Sequence, residues 1–106
     1  MGSANFEKVI RGRVARGAEL LDSIRPGWRK EVDLDRLDLS SCHECVLGQL
    51  FGGYTYGEDE LQRAVPDFYY DHSVSIGAFY GFSKTIREDF RWEDLNKAWR
   101  EEIAKQ

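Results

Sequence analysis

The chain has 106 residues, 42% of them hydrophobic, 32% charged and 13% aromatic, and a net charge of −4. That length sets a single small domain with a real core, and the aromatic content excludes a disordered chain. No apolar run reaches the roughly 18 residues that span a bilayer, no signal peptide is recognisable, and two cysteines three positions apart do not make a secreted disulfide scaffold, so a reduced, cytoplasmic protein with no membrane partner is expected.

The charge is unevenly placed. Residues 1–30 hold seven basic side chains (Lys8, Arg11, Arg13, Arg16, Arg25, Arg29, Lys30) against Glu7, Glu19 and Asp22, which gives +4 and leaves −8 for the rest. Such a split either makes oppositely signed faces that steer a partner or lets two parts of one fold attract each other. The plainer reading is preferred, since most charges simply solvate a surface.

Residues 1–4 are read as a flexible start or cloning scar. From Asn5 to about Ile24, Phe6, Ile10, Val14, Leu21 and Ile24 fall on one helical stripe. Gly17 lies on that stripe. A helical glycine costs about 1 kcal/mol relative to alanine, which a close helix crossing would compensate. Arg25-Pro26 ends the helix, since the residue before proline is pushed out of the α region. Trp28 is expected to fold back onto the core. Residues 29–39 mix periods, and a short helical turn around Leu34–Leu37 is preferred over a strand. Asp33, Asp35 and Asp38 lack the glycine and closing glutamate of a calcium loop.

Ser40 and Ser41 are good N-caps, and predict a helix over 42–51 stopped by Gly52-Gly53. Its apolar residues cover much of its circumference, so it belongs in the centre. Tyr54–Gly57 reads as a loop and Glu58–Val65 as a short helix. Val74, Ala78 and Phe82 share a spacing of four and predict a helix ending at Gly81, with a strand beginning at Val74-Ser75-Ile76 as the alternative. Ser83–Glu88 reads as a linker or short turn. Trp92, Leu95, Trp99 and either Glu102 or Ile103, with Ala98 alongside, predict a final helix to Lys105. The sum is an all-α single-domain bundle of about four or five helices.

Several of these stretches carry a resemblance: Gly17–Asp22, Pro26-Gly27-Trp28, Asp33–Leu39, and above all Cys45-Val46-Leu47-Gly48-Gln49-Leu50-Phe51-Gly52, with Tyr80-Gly81-Phe82 and Leu95–Trp99. Together they resemble a family of small uncharacterised proteins of actinobacteria and, above all, their bacteriophages. The resemblance spans residues 17–103. It implies no particular activity and no catalytic residues, and it covers Cys45 better than Cys42.

The sequence offers three kinds of site. Cys42-His43-Glu44-Cys45 supplies two thiols, to which His43 or His72 would add a third ligand for zinc. A tetrahedral zinc site wants about four, and no second cysteine pair exists. The same pair at a helix N-terminus would suit thiol redox chemistry, but the βαβ context is missing. The preferred reading makes Cys45 a small buried hydrophobe, so no cofactor is expected. Asp71-His72 is a poor base pair, because neighbours on a helix do not face each other, and no P-loop, GxSxG, GxGxxG or HExxH occurs. Arg11, Arg13 and Arg16 could touch phosphates, but the pI of about 5.2 speaks against nucleic acid. Tyr54, Tyr56, Tyr69 and Tyr70 are the favoured contact residues, since tyrosine gives area, rigidity and one hydroxyl.

The expectation is therefore a protein-binding module and not an enzyme. It contacts its partner through those tyrosines and the Arg11–Arg16 ridge, and the resemblance makes a host protein the natural partner. Zinc or thiol chemistry and a nucleic-acid accessory role are the alternatives, and a homo-oligomer stays open.

Overall fold

The computed structural model describes residues 2–68, 75–84 and 90–105. Six helices are bounded within them: α1 (Gly2–Ile24), α2 (Trp28–Glu31), α3 (Val46–Phe51), α4 (Tyr54–Ala64), α5 (Ile76–Phe79) and α6 (Trp92–Ala104). No strand occurs among the described residues, and the fold is an all-α bundle. None of these helices is long and apolar enough to cross a membrane.

The stripes read from the sequence form the core. Ile10, Val14, Ala18 and Leu21 of α1 and Leu95, Ala98, Trp99 and Ile103 of α6 are buried, and the two helices pack together. Trp99 sits at the centre. It stacks on Phe82 at 5.0 Å and receives the edge of Trp28 at 5.8 Å, while its indole N–H donates to the Gly81 carbonyl at 2.7 Å. Burying rings this large supplies about 1.5–3 kcal/mol each, and the hydrogen bond removes the cost of hiding a polar atom. Trp28 folds back as expected, donating to Asp22 at 2.8 Å.

Gly17 is needed for the reason its position suggested, though its closest neighbour is a turn and not a helix. A Cβ there would run into the Tyr80 carbonyl and come within 3.1 Å of both Phe82 and Trp99. The turn is itself made by Gly81, at φ 80°, a left-handed conformation that favours glycine.

Three expectations are corrected. The central helix starts at Val46, not Cys42, because Cys45 is its cap. Ser41 instead accepts the amides of His43 and Glu44 at 3.3 and 3.1 Å, which closes a separate turn ahead of it. Tyr54–Gly57 is the first turn of α4 and not a loop. Among the described residues of the aromatic stretch, the helix is the short α5, since Ser75 is extended and caps it by accepting the Ala78 amide at 3.2 Å; Val74, the first residue of the expected stripe, lies outside the described residues. Two further details differ: α1 extends back to Gly2, and α2 was not expected.

Candidate interaction surface

Between α2 and α3 runs a long stretch without regular structure, residues 32–45, held both by its own backbone turns and by side chains of α3 and α6. Gln49 of α3 clasps its two ends. Its carbonyl accepts the Asp33 amide at 2.7 Å, and its NH2 donates to the Glu44 and Asp33 carbonyls at 2.9 and 3.2 Å. From α6, Arg100 donates to the Leu34 and Leu37 carbonyls at 2.6 and 3.2 Å, and Asn96 accepts the Leu39 amide at 2.6 Å. The expected turn at Leu34–Leu37 forms here. Asp33 and Asp38 are turned onto the loop's own backbone, accepting the amides of Asp35 and Ser40 at 3.0 Å. The Ser40 hydroxyl on Asp38 keeps that carboxyl below its usual range.

The run Cys45–Gly52 is thereby explained in architectural terms. Cys45 Sγ accepts the Gly48 amide at 3.2 Å as the cap of α3. Leu47 and Leu50 fill the core. Gly48 lies against the backbone of the loop: a Cβ there would come within 2.7 Å of the His43 Cα and carbonyl carbon. Gly52, at φ 92°, closes the helix, and Gln49 ties the loop.

The predicted thiol pair is split. Cys45 is buried and Cys42 exposed, and both are free. Burial pushes the Cys45 thiol up, the opposite of a nucleophile's need. Among the described residues no group of three or more His, Cys, Asp or Glu side chains converges on a point, and His72 lies outside them. Glu44, within the motif, is paired with Arg36 at 2.8 Å.

The basic ridge of α1 is largely committed inside the fold. Arg11 meets Glu7 at 3.3 Å and Glu101 of α6 at 3.8 Å. Arg16 lies over the Phe79 ring at 4.1 Å, and Arg13 lies near Phe90 at 5.9 Å. Arg29 bridges Asp22 and Glu102 at 2.8 and 2.9 Å. The uneven charge of the sequence is thus used in part to hold its two ends together. A groove of about 390 Å³ beside the ridge is floored by Phe6, Ile10 and Ala98, with Arg11 and Glu101 on its rim.

The tyrosines separate as well. Tyr54 is half-buried against the core, its hydroxyl packed against Gly77. Burial and the nearby Glu58 push its phenol up to about 12. Tyr56, two residues on, is 67% exposed. Tyr69 and Tyr70 lie outside the described residues. The Tyr54 amide donates to the Cys42 carbonyl at 2.8 Å, so the start of α4 and the Cys42-His43 turn meet at one corner. Cys42, His43, Thr55, Tyr56 and Asp59 are all exposed there or on the adjoining turn of α4. The sequence reading missed Thr55 and Asp59; their signal is the helical spacing that places Asp59 beside Tyr56.

Comparison with protein-family models, with curated proteins and with solved structures finds no match.

Proposed function

We propose that this protein acts by binding another protein, with the corner around Tyr56 as the contact. The phage resemblance makes that partner a host protein whose activity is modulated or inhibited in the host cytoplasm. One observation supports the reading most. Tyr56 is a large aromatic side chain two-thirds exposed, in a chain that packs Trp28, Trp99, Phe68 and Phe82 to near completion. It stands on a helix whose start is fixed by a backbone hydrogen bond to the loop and by the glycine corner before it. A rigid, presented tyrosine loses little entropy on contact, which is the property of an interface anchor.

The test compares wild type and Tyr56→Ala as baits in actinobacterial lysate, with and without nuclease, read by mass spectrometry. A protein enriched by wild type under both conditions and lost with Tyr56→Ala supports the reading. Enrichment that vanishes with nuclease points to nucleic acid, and equal capture by both baits removes Tyr56 from the interface. Circular dichroism of the variant should match wild type.

A further inference from the structure

Tyr56 stands on a helix that carries more carboxylates than cations, with the exposed Asp59 one turn from its ring. Tyr56, Asp59, Glu60 and Arg63 follow at spacings of three and four, which sets them side by side on α4. Between Tyr54 and Asp67 the chain carries four carboxylates (Glu58, Asp59, Glu60, Asp67) against Arg63 alone, and Glu60 holds that guanidinium at 2.6 Å. Asp59 and Asp67 are exposed. Four arginines of other elements are paired with carboxylates of their own: Arg11 with Glu7 and Glu101, Arg25 with Glu31, Arg29 with Asp22 and Glu102, Arg36 with Glu44. What α4 offers outward is therefore an aromatic ring set among negative charge.

Inside the fold the same chain repeatedly covers rings with guanidinium groups. Arg16 lies over Phe79 at 4.1 Å, Arg29 over Trp28 at 4.7 Å and Arg25 over Phe51 at 5.2 Å. Among the described residues no arginine and no other ring covers Tyr56. From this charge complementarity we infer that the partner meets α4 with a basic protein surface, one arginine of which lies over the Tyr56 ring. The inference rests on the binding reading above and names the chemistry of the other side. Lysine would satisfy the carboxylates equally. Only the planar guanidinium also stacks on the ring, and that should discriminate the two.

The probes are three short helical peptides of equal length, arginine-rich, lysine-rich and glutamate-rich, titrated into the isotope-labelled full chain and followed by backbone amide shifts. The arginine-rich peptide should shift the amides of Thr55–Arg63 and bind about two- to fivefold more tightly than the lysine-rich one. The glutamate-rich peptide should not bind. Tyr56→Ala should erase the preference for arginine, while Asp59→Lys should weaken both basic peptides, by about tenfold at low salt and less at ~0.15 M. Asp35→Asn, a neutralisation on the loop, should change neither. Shifts centred elsewhere, an arginine preference that survives Tyr56→Ala, or an oligothymidylate that shifts the same amides would each overturn the inference. A lysate protein that is captured through Tyr56 and binds Asp59→Lys just as well would sink the basic-partner inference alone. A lysate protein held equally by wild type and Tyr56→Ala would sink the binding reading with it.

Discussion

Alanine placed at two helical glycines should change stability in opposite directions. Gly12, in the middle of α1, has open space where a Cβ would go. Gly12→Ala should therefore gain the ordinary helical advantage of alanine, about 0.5–1 kcal/mol. Gly48, in the first turn of α3, would gain the same amount. However, its Cβ would come within 2.7 Å of the Cα and carbonyl carbon of His43. Those are backbone atoms of a loop pinned by Gln49, Arg100 and Asn96, so no side chain can swing away. Overpacking of this kind costs about 1–3 kcal/mol, and a rigid neighbour puts the cost in the upper half. The net for Gly48→Ala is a loss of about 1–2 kcal/mol, and the two variants should differ by about 2–3 kcal/mol. Urea unfolding followed by tryptophan fluorescence measures both, with unchanged slopes confirming that only stability has moved. If Gly48→Ala is as stable as Gly12→Ala, the loop does not rest on α3, and the architectural account of the Cys45–Gly52 run fails.

Removing the sulfur cap with Cys45→Ala should cost about 1–2 kcal/mol, and Cys45→Ser, which keeps an acceptor, less; in native protein a thiol reagent should titrate Cys42 at once and Cys45 only after unfolding, and two fast thiols would refute its burial. Tyr54 has its phenol raised from 10.0 to about 12, so between those values the unfolded chain ionises while the folded one does not. Stability should then be intact below about pH 9 and fall by up to about 2 kcal/mol towards pH 12, after allowance for the part of the ring that water reaches. Tyr54→Phe should flatten that portion of the urea-stability curve, and an unchanged alkaline loss would contradict the assignment. Arg29→Ala leaves Asp22 and Glu102 without their shared cation and should cost about 2 kcal/mol, whereas Tyr56→Ala should stay within about 0.5 kcal/mol of wild type; thermal melts of the two variants side by side test both values.

Long amphipathic helices were legible because many turns repeat one stripe: the buried faces of α1 and α6 follow from spacing alone. Short elements were not. The start of α3 was misplaced because Ser40-Ser41 are commoner caps than a cysteine, and nothing in the letters says that Cys45 Sγ would take the Gly48 amide. Gly52-Gly53 looked like the edge of a loop. In the fold Gly52 ends one helix and Gly53 begins the next, which turns Tyr54 inward and Tyr56 outward. A helical reading of that run would have separated the two rings, since residues two apart do not share a face. Ala78 and Phe82 matched a helical period by coincidence, across the Gly81 turn. The long-range pairs of the arginines were not readable, because Arg11–Glu101 and Arg29–Glu102 join positions far apart in the chain.

The pairing of α1 with α6 also governs when this molecule can acquire its shape. Residues at the start of the chain wait for Trp99, and the loop between α2 and α3 waits for Asn96 and Arg100. During synthesis the packing of α1 on α6 and the ties from Asn96 and Arg100 to the loop therefore cannot form until α6 has left the ribosome. Folding should occur as one late event, slower than the helical content suggests, because the decisive contacts close large loops of chain.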